Sequence, residues 1–72
     1  MTRLVPLKPR EVEKILLRNR FILNFTKGSH KQFFNPRTNA HATVPFHSKD
    51  MALGTLRSII KQSQLSDNLF KR

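Results

Sequence analysis

Cysteine is missing from this 72-residue chain. That excludes disulfides, thiolate nucleophiles and cysteine-based zinc sites, so stability must come from packing. Acidic residues are scarce: four Asp and Glu stand against fourteen Lys and Arg, for a formal net charge of +10. With so few carboxylates, catalysis by a carboxylate cluster has little to work with. No apolar run approaches the roughly 18 residues of a membrane-spanning helix. The first nine residues hold two prolines and no continuous apolar stretch, which argues against a secretory signal. There are no repeats and no low-complexity tracts. A chain this short makes one domain, 1–72, with a small core and a loose arm over 1–7. The location these features suggest is the cytoplasm.

What the chain has in excess is positive charge. A net charge of +10 exceeds what solubility asks of so small a domain, and its self-repulsion points to a polyanionic partner. The basic residues crowd the first half, where residues 1–37 carry net +7. Nucleic acid fits this best. An anionic membrane fits poorly, because no helix pairs a basic face with a broad apolar one. An acidic protein could use the same surface.

The apolar periodicity yields an α-β-β-β-α order. Pro9 suits the first position of a helix, and Val12, Ile15 and Leu16 then recur on one face. Arg10, Lys14 and Arg18 fall on the opposite face, most simply as a solvated surface. Asn19-Arg20 ends the helix, with Asn19 suited to a left-handed conformation. Residues 21–26 alternate as a strand with Phe21, Leu23 and Phe25 inward. Lys27-Gly28-Ser29 is a turn, 30–34 a second strand, 35–39 a hairpin loop, and 41–46 a third strand. Leu56, Ile59 and Ile60 restore the helical period over 55–64, and Ser66 caps a last turn carrying Leu69 and Phe70. The fold class is α+β: a three-stranded antiparallel sheet with both helices on one face and the other face open.

Strand parity then locates the chemistry. If Phe33 is the core residue of the second strand, His30, Gln32, Phe34, His41 and Thr43 share the open face. An aromatic ring among imidazoles and polar groups suits unpaired bases and phosphates. The three histidines lack the spacing of a compact zinc site, so no metal or other cofactor is expected. Ser29 is a poor nucleophile, because neighbours on an extended chain point apart and no carboxylate orients His30. RNA cleavage asks less of a protein, since the 2′-OH is the nucleophile. An imidazole at His30 can move the proton. Lys27 and Lys31 can stabilise charge on the phosphate, and the backbone N–H groups at Gly28 and Ser29 can cup it. From these residues alone, a module that only binds RNA stands beside the catalyst.

Four segments carry a resemblance. Lys8-Pro-Arg-Glu-Val12, Lys27-Gly-Ser-His30, Thr43-Val-Pro-Phe-His47 and Gly54-Thr-Leu-Arg-Ser-Ile-Ile-Lys-Gln62 resemble, in this order, the HicA toxins over about residues 8–70. The resemblance implies a small double-stranded-RNA-binding-like fold and a metal-independent mRNA interferase silenced by a HicB-type antitoxin, monomeric when free. It places the catalytic histidine on His30, the Gly-Ser turn on Gly28 and Ser29, and a second, supportive histidine on His47. The family commonly has glycine where this chain has Arg20, and a left-handed residue with a Cβ costs roughly 1 kcal/mol there. The second helix lacks the paired lysines with which double-stranded-RNA-binding domains grip a groove, so single-stranded mRNA is the expected substrate.

Overall fold

The computed structural model describes residues 3–46 and 49–72. His47, given a supportive role by the resemblance, lies outside the described residues. The element order is α1 (Pro9–Arg18), β1 (Ile22–Lys27), β2 (His30–Asn35), β3 (Ala40–Pro45), α2 (Leu53–Ser63) and a 3₁₀ turn, η1 (Asp67–Phe70). The sheet is antiparallel in the order β1-β2-β3, so the expected α+β class and topology are as observed. Both helices pack chiefly against β3. Val12, Leu16, Leu56 and Ile59 meet Phe33, Ala42 and Val44 in one buried cluster that also holds Phe21 and Phe70.

α1 begins where its first orphan donors find partners. Pro9 has no N–H to satisfy, and the Lys8 N–H donates to Glu11 Oε1 at 2.9 Å. Its end differs from expectation. Asn19 has φ −106°, and the left-handed residue is Arg20 at φ 73°. The Phe21 N–H reaches back to the Leu16 carbonyl at 3.0 Å, the six-to-one bond of a Schellman end. That bond fixes the left-handed position one residue beyond Asn19. Asn19 instead turns its amide back to the Ile15 carbonyl at 2.7 Å.

Asn35, buried at the end of β2, ties this helix end to the β2–β3 loop. Its amide donates to the Asn19 carbonyl at 3.4 Å, while its Oδ1 accepts from the Arg37 and Thr38 N–H groups. The outer edge of β3 is covered by α2, since the Thr43 N–H donates to Gln62 Oε1 at 3.0 Å. Ser66 accepts from the Asn68 N–H as an N-cap, and Phe70 is buried, whereas Leu69 stays exposed. The segment 3–7, which the sequence suggests is loose, is fastened at both ends. Arg3 and Arg72 exchange two backbone hydrogen bonds, and Leu7 is buried with its carbonyl accepting from Met51.

β1 departs most from its sequence pattern. Phe21 is buried, but it precedes the strand, and all six β1 residues are exposed. Leu23 and Phe25, both expected inward, are 46% and 50% exposed. Two causes act together. β1 is the strand farthest from the helices, so Leu23, although opposite the buried Phe33, has little above it. Between Leu23 and Phe25 the register shifts, with Leu23 opposite Phe33 and Phe25 opposite Gln32. Asn24 is therefore the extra residue of a β-bulge, and Phe25 joins the face of Gln32.

Candidate nucleic-acid interface

Phe33, Ala42 and Val44 are buried under the helices, so alternation puts their neighbours on the open face. These are His30, Gln32 and Phe34 of β2 and His41 and Thr43 of β3, the set that strand parity predicts. Across β1 the same face receives Ile22 opposite Phe34, Phe25 opposite Gln32, and Lys27 opposite His30. The Asn24 amide donates to Gln32 Oε1 at 2.9 Å, which places this side chain there as well.

His30 is exposed at the first position of β2, with Lys27 as its partner on β1 and Pro45 on β3. The two-residue loop between the strands is Gly28-Ser29. Gly28 has φ 60° at the first loop position, where a two-residue hairpin demands a positive φ that glycine adopts without strain. The Ser29 carbonyl accepts from the Phe46 N–H, which ties the loop to the end of β3. The loop is thus held from two sides, with His30 and Lys27 side by side beneath it.

Lys31 goes the other way. It lies on the helix-covered face, with Nζ 3.4 Å from Glu13 Oε2 and 4.2 Å from the centre of the Phe46 ring. Of the residues singled out as phosphate contacts, Lys27, Gly28 and Ser29 come together with His30, and Lys31 does not. Lys31 instead lines a cleft of about 510 Å³ with Lys8, Pro9, Arg10, Glu11, Glu13 and Phe46 on the α1 side of the sheet.

His41 pairs with Phe34, four residues along β2 from His30, a separation of about 13 Å at the usual strand rise. The two imidazoles therefore do not face one substrate atom together. The His41 ring lies against Phe34, with centroids 4.7 Å apart and planes tilted by 39°. All four acidic residues are among the described ones, and none is in a strand: Glu11 and Glu13 are in α1, Asp67 is in η1, and Asp50 is in the connection before α2. The open face carries no carboxylate to repel a phosphate. Among the described residues, no three His, Cys, Asp or Glu side chains gather as a metal site. No described helix is long and apolar enough to cross a membrane.

The family model for the HicA toxin of bacterial toxin–antitoxin systems matches residues 9–65. The chain belongs to the HicA toxin family. The match takes in both helices, the whole sheet and the Gly28-Ser29 loop, so the open face and His30 lie inside the shared domain. A HicA domain is the toxin of a toxin–antitoxin pair, and an antitoxin is accordingly its family partner. No curated protein matches the chain.

Sequence reasoning put Phe25 on the covered side and did not name Ile22 or Asn24 as members of this face, although its own alternation leaves both there. A signal was present: asparagine is a poor strand former, and Asn24 interrupts an apolar run. An irregularity was to be suspected there.

Proposed function

We propose that this HicA-family toxin is an endoribonuclease that cleaves single-stranded mRNA without a metal or other cofactor, with His30 as its general acid or base. The observation that carries the reading is the cross-strand register of two exposed residues, His30 and Lys27, next to a fixed Gly28-Ser29 loop. The 2′-OH of RNA supplies the nucleophile. His30 takes or gives its proton, Lys27 offsets the charge that builds on the phosphate, and the loop N–H groups orient it. Lys31, turned to the covered face, contributes to the positive field rather than touching phosphate. The work of such a toxin lies in the cytoplasm, where mRNA is. A HicB-type antitoxin silences it by covering the open face around His30, and the toxin is monomeric when free.

The test uses labelled single-stranded RNA in EDTA. Wild type cleaves and His30→Ala does not. Equal cleavage by both, or none by wild type, refutes the reading. A second reading is a module that binds RNA without cleaving it: an open face with exposed apolar and cationic side chains and no carboxylate serves binding alone equally well. That reading expects intact RNA, and binding that weakens steeply with salt and ignores His30→Ala.

A further inference from the structure

We propose that the open sheet face is a stacking platform for unpaired bases, in which Phe25 and the Phe34–His41 ring pair hold the nucleotides beside the phosphate that reaches His30. The proposal rests on the nuclease reading for the role of His30, but the platform itself rests on separate observations.

The first is the bulge at Asn24. Strict alternation of β1 would place Phe25 with Leu23 on the helix side. The extra residue moves the ring to the open face, opposite Gln32, where it is half exposed. The second is the Phe34–His41 contact, which presents two rings side by side on β2 and β3. The third is spacing. Phe25 stands level with Gln32, two residues along the ladder from His30, and Phe34 stands two residues farther on. At the usual strand rise these steps are each about 7 Å. A short extended strand with its phosphate at His30 would pass Phe25 and then Phe34. Gln32, level with Phe25, accepts a hydrogen bond from Asn24, the bulge residue, and the two side chains offer amide groups to base edges.

The chemistry of the occupant follows. Ile22 and Phe25 are exposed apolar side chains on the open face of a chain of net charge +10, and such a patch marks a surface that is covered in use. Lys27 supplies positive charge at one end, and the sheet has no carboxylate. Rings flanked by a cation suit single-stranded RNA, whose bases have free π-faces. They do not suit a duplex, whose bases are already stacked. Protein docking would bury the same apolar area, but it gives no reason for rings at regular steps from a histidine.

The experiment measures binding apart from cleavage. A fluorescein-labelled single-stranded oligoribonucleotide with 2′-O-methyl groups lacks the nucleophile, and anisotropy reads its Kd. Phe25→Ala and Phe34→Ala are expected to weaken binding by about 5- to 150-fold each, the usual range for one stacked base. Phe25→Leu and Phe34→Leu retain apolar bulk and the fold, as circular dichroism will check, and should also lose affinity. A 2-aminopurine base placed next to the scissile position should be quenched by wild type and not by the leucine variants. Binding within twofold of wild type by the folded leucine variants overturns the proposal, as does equal affinity for a duplex of the same sequence. So does loss of affinity for an antitoxin with RNA affinity unchanged, which would make the face a protein-docking surface. The unmodified RNA separates the two readings. If wild type cleaves and the leucine variants keep its KM, the platform falls and the nuclease stands. If wild type never cleaves but the leucine variants lose binding and quenching, the nuclease falls and the platform stands.

Discussion

Arg20 is a place where this chain sits above its stability optimum in energy, and a single change should show it. The residue adopts φ 73° between α1 and β1, in a position that the Phe21-to-Leu16 hydrogen bond enforces. A left-handed residue with a Cβ costs roughly 1–2 kcal/mol. Glycine removes that cost but gives the unfolded chain extra freedom, worth about 0.4–1 kcal/mol. The balance for Arg20→Gly is a gain of about 0.5–1 kcal/mol. In a domain of this size each kcal/mol moves Tm by about 4–8 °C, so a rise of about 2–8 °C is expected. Removing one of fourteen basic residues also relieves repulsion, which would raise Tm for a different reason. Arg20→Ala separates the two, because it discards the charge and keeps the Cβ. Thermal unfolding followed by circular dichroism at low and high salt is the assay. A glycine variant no more stable than the alanine variant would refute the backbone argument.

Four further outcomes are expected. Phe33→Ala empties a fully buried position at the centre of the sheet and should cost about 3–5 kcal/mol, enough to leave the domain largely unfolded in a urea titration. With the uncleavable oligonucleotide, Lys27→Ala should reduce the slope of log affinity against log salt by about 0.7, the value for one phosphate contact on a single strand. Lys31→Ala should leave that slope unchanged and instead lower stability by about 1 kcal/mol, since its ammonium is partly buried against Glu13 and the Phe46 ring. Deleting Asn24 should leave a regular ladder, with Leu23 still opposite Phe33 and Phe25 still opposite Gln32; loss of the folded spectrum, or of NMR contacts between Phe25 and Gln32, would contradict this reading of the register.

Much of the architecture is legible because its signals are local and agree with one another. Pro9 followed by Val12 and Leu16 states both the start of α1 and its buried face. The alternation over β2 and β3 puts Phe33, Ala42 and Val44 inward, and the placement of His30, Gln32, Phe34, His41 and Thr43 on the open face follows from geometry alone. Parity also implies, for the same reason, that Lys31 cannot share a face with His30. Proximity in sequence made it look like a phosphate contact, and only the pleat separates the two. The end of α1 was harder to read. Asn19 has the better intrinsic preference for a left-handed turn, but the six-to-one bond counts residues from Leu16 and lands the strain on Arg20. Asn35 serves its own turn through Oδ1, as a loop asparagine does, but its amide also makes a contact across sixteen residues, and nothing near it in sequence announces that bond.

The bulge marks the limit of period-two reasoning. Alternation assigns faces only if no residue is inserted, and one insertion reassigns every side chain beyond it. What β1 lacks is a reason to keep Phe25 inward. Both helices pack chiefly on β3, two strands away, so an inward ring on β1 would gain little more than Leu23 does, and Leu23 is itself nearly half exposed. The hydrophobic effect that would normally enforce register is weak there, since little apolar area is removed from water on either face. The Asn24–Gln32 hydrogen bond and the fixed Lys27–His30 hairpin then decide the alignment. An edge strand beyond the reach of its helices is therefore where a small domain can move an aromatic ring to its open surface at little cost in stability.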